Sequence, residues 1–245
     1  MHRFKIAHAD KTSFWLKGSE REHLVRVLRL RIGDEIIGFD NSGAEYRARI
    51  KEIEEESIVC EILQELYPEV EAKTQVYLVA GLSKGEKMEW VIQKGTELGM
   101  TGLIPLRTKR AVMKLEGNKA EDRVQRWQKI CGEAAKQSRR VKEPRIYPVA
   151  DWQDLRNILP DNTQWLIAYE LEQDKTLQAI LSHFDPQAPI AVLVGPEGGF
   201  EEGEVLWAKE NLQAQSISLG PRILRAETAA LAVLTLVLGF YGDLG

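Results

Sequence analysis

An α/β fold with a largely parallel sheet, preceded by a small β-rich domain, is what this 245-residue sequence predicts. Three observations predict it. From residue 74 onward, apolar runs of strand length alternate with amphipathic runs of helical period. The first 70 residues instead hold short strand-like segments around one short helix. Between the two, "YPEVEAKT" is polar, contains a proline and reads as a linker, which puts a domain boundary between residues 72 and 73.

Each element has its own signal. "FKIAH" and "SFWLKG" read as short strands. "SEREHLVRVLRL" reads as a helix, with Ser19 and Glu22 at capping-box spacing and Leu24, Val27 and Leu28 on one face. "DEIIGFD", "EYRARIKEI" and "SIVCEILQEL" are three more strands, the first two joined by the turn signal "DNSG". This set suggests a small barrel. In the second part, "QVYLVAGL" is a strand and "KMEWVIQKGTELG" a helix with Met88, Val91 and Ile92 in register, ended by Gly99. "GLIPL" follows as a strand, then "DRVQRWQKICGEAAKQS" as a helix with Val124, Trp127 and Cys131 along one face. The strands "WLIAYE", "IAVLVG" and "SISLG" alternate with the helices "KTLQAILSHF", "EEGEVLWAKENL" and "AETAALAVLTLVLGFYG".

Composition narrows the function classes. Charged residues make up 29% and hydrophobic ones 44%, ordinary for a soluble globular protein. Cys60 and Cys131 stand far apart and outside CxxC spacing, which points to free thiols in a reducing, cytoplasmic setting. His2, His8, His23 and His183 are scattered without metal-ligand spacing, so no metal is expected. The N-terminus lacks the apolar core of a signal peptide. The longest apolar run, Thr228 to Tyr241, falls short of the roughly 20 residues a membrane span needs and reads as a buried helix. The net charge of −4 is unevenly spread: +5 over residues 1–31, −9 over 32–72, +8 over 105–145 and −9 over 146–245. Two basic blocks can attract a polyanion despite the negative total; solvated helix faces are the plain alternative.

In an α/β sheet, ligands bind where strands end at their carboxyl side. Three such ends are candidates: Tyr169-Glu170, "GPEGG" at 195–199, and Leu219-Gly220. Phosphate is a poor fit for the middle one. "GLSKGEK" misses the GxxxxGK[ST] spacing, and GPEGGF misses GxGxxG. Glu201, Glu202 and Glu204 open the next helix; they suit its dipole and would repel an anion. A neutral or cationic ligand fits better, and a tight glycine turn without any ligand is the alternative. "LGPRILRAETAALAVL" places Arg222, Arg225, Glu227 and Thr228 at the mouth of an apolar helix, beyond what simple capping requires. The basic segments "PLRTKRAVMK" and "KQSRRVKEPR" suit phosphate-backbone contact.

Together, "HLVRVLRLRIGDEI", "KGEKMEWVIQKGTELG", "PLRTKR", "RWQKICGEAAKQS", "LVGPEGGF" and "LGPRILRAETAAL" resemble, in this order and over nearly the whole chain, the RsmE-type ribosomal RNA uridine-N3 methyltransferases of the SPOUT superfamily. The resemblance implies an N-terminal PUA-like barrel over residues 1–72 and, over 73–245, a SPOUT α/β domain tied in a deep C-terminal trefoil knot. It implies S-adenosyl-L-methionine as cofactor, a homodimer, and methylation of N3 of one uridine in the decoding region of 16S rRNA. Two departures are small: Ala226 stands where threonine is common, and "SRR" replaces the usual SGR, adding Arg139.

By the same resemblance, the cofactor loops are Glu170-Leu171; Leu193 with Gly195, Pro196, Glu197, Gly198 and Gly199; and Leu219, Gly220, Leu224, Arg225, Ala226 and Thr228. Transfer to N3 also needs proton removal, and Glu227 and Glu197 are the candidate bases. Arg225 is the candidate for stabilising charge on the uracil oxygens. RNA contacts are expected at Arg26 and Arg29 in the first domain, at Arg107, Lys109 and Arg110, and at Arg139 and Arg140. A non-catalytic RNA-binding assembly factor is the rival reading; a nucleotide hydrolase lacks its phosphate loop.

Overall fold

The computed structural model describes residues 1–172 and 176–244. The chain packs as two compact units: one of Met1–Glu71 with Ala135–Glu143, the other of Ala72–Ala134 with the chain from Pro144 onward. Nothing in the sequence pattern signalled that residues 135–143 would join the N-terminal unit.

In that unit, β1 (Arg3–Lys5), β2 (Ser13–Lys17), β3 (Glu35–Phe39), β4 (Glu45–Ile53) and β5 (Ser57–Leu66) form a sheet ordered β1-β3-β4-β5-β2. Strand β1 runs parallel to β3 and the other pairs are antiparallel. Alternate side chains turn inward, so that Phe4, Phe14, Leu16, Ile36, Ile50 and Ile58 share one core. The "DNSG" turn forms as expected, with Asn41 and Gly43 at φ 68° and 101°. The first helix differs from its expectation. Helix α1 (Gly18–Glu22) follows Lys17 with no side-chain cap, so Ser19 and Glu22 form no capping box. From His23 to Leu28 the helix widens to the π type. The wider turn spoils the 3.6-residue register, and Val27 is 68% exposed while Leu24 is fully buried. The 135–143 segment is held by Glu71, which accepts the backbone N–H groups of Val141 and Lys142 at 2.9 Å and pairs with the Arg140 guanidinium at 2.6 Å.

The second unit carries β6 (Val76–Gly81), α2 (Lys87–Leu98), β7 (Gly102–Leu106), α3 (Gly117–Gln137), β8 (Arg145–Ile146), α4 (Leu155–Ile158), β9 (Gln164–Ala168), α5 (Leu177–Leu181), β10 (Ile190–Val194), α6 (Glu202–Leu212), β11 (Gln215–Ile217) and α7 (Ala226–Phe240). Its strands are all parallel, ordered β11-β9-β10-β6-β7-β8. Both faces of the sheet are covered. Val76, Leu78 and Ala80 face a core shared with α2 and α7, and Tyr77 and Val79 face one shared with α6. Met88, Val91, Ile92, Trp127 and Cys131 are buried as their spacing predicts, and Gly99 closes α2 at φ 112°. Helix α5 stops at Leu181, short of the expected Phe184; Lys175, its expected first residue, lies outside the described residues. Helix α7 buries Ala230, Val233, Leu234, Val237 and Leu238 but leaves Leu236 and Phe240 about half-exposed, so the apolar run is buried on one side only. No helix among the described residues is long and apolar enough to cross a membrane.

Candidate active site

Because β11, β9 and β10 are parallel neighbours, their carboxyl ends fall side by side. The loops leaving them enclose a cavity of about 920 Å³. Its lining takes Tyr169, Glu170 and Glu172 from the first loop, residues 195–200 from the second, and residues 218–226 from the third. The volume suits a ligand of drug or cofactor size.

The middle loop is fixed by close approaches. Gly199 donates to the Pro196 carbonyl at 2.9 Å and sits at φ +68°, which disfavours a side chain. A Cβ on Gly199 would lie 2.6 Å from Glu170 Oε1. One on Gly81, at the end of β6, would lie 2.5 Å from Pro196 Cδ. Strand β6 is the other neighbour of β10, so its following loop forms a fourth wall.

That wall brings a lysine to the carboxylate of the loop. Glu197 Oε1 accepts the Lys84 backbone N–H at 3.0 Å and the Lys87 ammonium at 3.1 Å. Burial alone would raise the Glu197 carboxyl; its own backbone N–H, Lys87 and Lys84 outweigh that and hold it below its ordinary value. Lys87 also lies 3.8 Å from Glu227 Oε2, an oxygen that is buried and accepts no hydrogen bond. Lys87 lines the cavity; Glu227 does not. Lys87 is not among the residues the sequence predicts for this site. The "KGEK" run offers no local sign of its place, which follows from β10 inserting between β9 and β6.

The acidic mouth of α6 has a structural use. Glu204 is 5% exposed and accepts the backbone N–H groups of Glu201 and Lys109 and the Trp152 indole N–H. Lys109 Nζ pairs with Glu201 at 3.2 Å, and Arg110 donates to the Gly198 carbonyl at 3.0 Å. The basic loop after β7 is thereby tied to the GPEGG loop.

The remaining predicted positions divide. Glu170, Gly195, Pro196, Glu197, Gly198, Gly199, Leu219, Gly220, Leu224, Arg225 and Ala226 line the cavity. Leu193 is buried in β10, Leu171 is 70% exposed outside the lining, and Thr228 is exposed on the first turn of α7. Arg222 and Ile223, inside the expected run from Leu219 to Thr228, also line the cavity. Arg225 is exposed, and among the described residues its guanidinium makes no hydrogen bond or ion pair. Arg26, Arg29, Lys109, Arg110 and Arg139 are exposed. Arg107 is turned inward, donating to the Leu115 carbonyl at 3.1 Å and pairing with Asp151 at 3.0 Å. Arg140, expected at an RNA-facing loop, is 6% exposed and paired with Glu71, so its charge serves the N-terminal unit.

Known proteins match this arrangement along its length. A family of RNA methyltransferase domains matches residues 70–238, and one of RNA methyltransferase PUA domains matches 16–63. The ribosomal RNA small subunit methyltransferase E of Bacillus subtilis is 37% identical over 235 residues, covering 93% of this chain and 90% of that protein. Its namesake from Mesomycoplasma hyopneumoniae is 32% identical, covering 96% and 98%. The crystal structure of a ribosomal RNA small subunit methyltransferase E from Neisseria gonorrhoeae bound to S-adenosyl methionine superposes with a TM-score of 0.88 at 30% identity, over the full length of both chains.

Proposed function

The chain belongs to the RNA methyltransferase family, and on that premise we propose that it methylates N3 of one uridine in the decoding region of 16S rRNA, using S-adenosyl-L-methionine. The observation that carries this reading is the cavity at three parallel strand ends, in a chain whose relatives bear the name small subunit rRNA methyltransferase. Residues 1–72 serve as the PUA-like RNA-binding part and 73–245 as the S-adenosylmethionine-binding part.

The residues present suit the cofactor. The volume is sufficient, and Glu170, Glu172 and Glu197 put carboxylates at the cavity that a cation tolerates and an anion does not. When bound, S-adenosylmethionine supplies a methyl group carried on a sulfonium, which departs as a neutral thioether. The glycine turn at 195–199 brings backbone groups against the ligand, and Arg225 faces the cavity with its guanidinium unengaged. Glu197 is a poor proton acceptor, since Lys84 and Lys87 already hold it ionised. Glu227 keeps an oxygen without a hydrogen bond and is the better candidate of the two for the N3 proton, on the condition that substrate binding exposes it, since that oxygen is buried and outside the cavity lining. Arg225 then stabilises charge on a uracil oxygen. Arg26, Arg29, Lys109, Arg110 and Arg139 contact RNA phosphates, while Arg107 and Arg140 hold the loops they lie on.

Two further expectations belong here. The exposed Leu236 and Phe240 of α7 support a homodimer. The insertion of β10 between β9 and β6, followed by α7, supports the trefoil knot. The test is mass spectrometry of rRNA from cells with and without the gene. Loss of one 3-methyluridine, restored by the gene, is the expected result. An unchanged rRNA would favour a non-catalytic assembly factor.

A further inference from the structure

An ammonium has three donors, and the one on Lys87 is flanked by two carboxylates. The nitrogen lies 3.1 Å from Glu197 Oε1, and Glu227 Oε2 is near it at 3.8 Å without accepting a hydrogen bond. No other hydrogen bond or ion pair among the described residues engages the ammonium, and Lys87 lines the cavity. The side chain is 35% exposed, so a donor is accessible to a ligand. Glu197 and Glu227 offset its charge beside a cationic cofactor, which leaves a remaining donor available to the other reactant. The other reactant here is a ring whose two carbonyl oxygens gain negative charge when its N3 loses a proton.

We infer that Lys87 is a catalytic residue of the methyl transfer, donating a remaining N–H to a uracil carbonyl oxygen as charge develops there. This rests on the uridine-N3 reading above. In the step, the N3–H bond breaks and the proton passes to Glu227. The N3 electron pair forms the bond to the methyl carbon, and the carbon–sulfur bond breaks with its electrons left on sulfur. Lys87 keeps its own protons throughout. Glu197 fixes the ammonium from the GPEGG side, which gives that loop's carboxylate a use apart from cofactor contact. Glu227 Oε2 lies 3.8 Å from the same ammonium, so the group that takes the proton and the group that steadies the anion are neighbours.

The test compares wild type, Lys87→Met and Lys87→Arg on small-subunit RNA carrying either uridine or the more acidic 5-fluorouridine at the target. Cofactor affinity is measured by calorimetry. The expected result for Lys87→Met is a fall in kcat of about a hundredfold, in line with loss of one preorganised donor to a developing oxyanion. Its affinity for S-adenosylmethionine stays within twofold of wild type, while its melting temperature falls by a few degrees through loss of the pair with Glu197, as it does for Glu197→Gln. Lys87→Arg recovers most of the rate. On 5-fluorouridine the penalty of Lys87→Met shrinks several-fold, because a ring that ionises readily needs the donor less. An equal penalty on both RNAs, or a loss of cofactor affinity that accounts for the rate, would overturn the inference in favour of a loop-supporting role. A wild-type protein that places no methyl on N3 would instead overturn the functional reading itself, so the two failures are separable.

Discussion

The two sides of the cavity are built differently. On the side of β6 and β10, almost every polar group has a partner: Glu197 holds Lys84 and Lys87, Gly198 accepts from Arg110, and Glu201 pairs with Lys109. Two of its glycines also leave no space for a methyl group. On the side of residues 219–225, Arg222, Ile223 and Arg225 are exposed, and the two guanidiniums bind nothing among the described residues. A tethered wall suits a ligand that must be held in one pose. An untethered wall suits a large partner that brings its own contacts. The difference teaches that one cavity can pair a tethered wall with an open one, which fits the proposed division between cofactor seating and RNA approach.

Glu227, at the start of α7, lies 3.8 Å from Lys87 and outside the cavity lining, and replacing it has the largest expected effect. Glu227→Gln should reduce kcat by about 10² to 10⁴ while cofactor affinity holds, as loss of a general base does. An unchanged methylation rate removes Glu227 from that role. On the tethered wall, Gly199→Val meets both a positive φ and the Glu170 carboxylate. Methylation should fall about a hundredfold through misplaced cofactor, read as a weakened S-adenosylmethionine Kd; retained affinity would mean that this wall is not the cofactor seat. On the open wall, Arg225→Ala should lower kcat about tenfold with Kd and melting temperature unchanged, and a loss of cofactor affinity would erase the contrast between the walls.

The smallest effect concerns pH. The folded Glu197 carboxyl lies below its ordinary value, so its stabilising contribution is present above the ordinary carboxylate range and is lost as pH falls through the folded value. Glu197→Gln should therefore melt a few degrees below wild type at neutral pH, and the two curves should converge in acid. A melting difference that persisted at low pH would show that the tether does not depend on the charge.

Much of this was legible in the sequence because local pattern decides it. The buried faces of α2 and α3 follow from 3.6-residue spacing, and the turn at Asn41–Gly43 from its residue types. The three strand-end loops of the cavity were also legible, since parallel strands share one carboxyl edge. What escaped depends on neighbours distant in sequence. Arg140 reads like Arg139, yet Glu71, 69 residues away, draws it inside. Val27 fits a helical stripe until the helix widens to the π type. Lys87 reaches the cavity because of strand order, which periodicity cannot encode.

The hydrogen bond from Lys84 to Glu197 joins residues 113 positions apart. On a growing chain, the first half of the tethered wall leaves the ribosome long before the second, and α7 follows later still. The proposed cofactor seat is thus among the last features the protein can complete, at the cost of closing a long loop. A methyl donor that binds only the finished seat would act as a folding ligand as well as a reactant, favouring chains that have closed correctly.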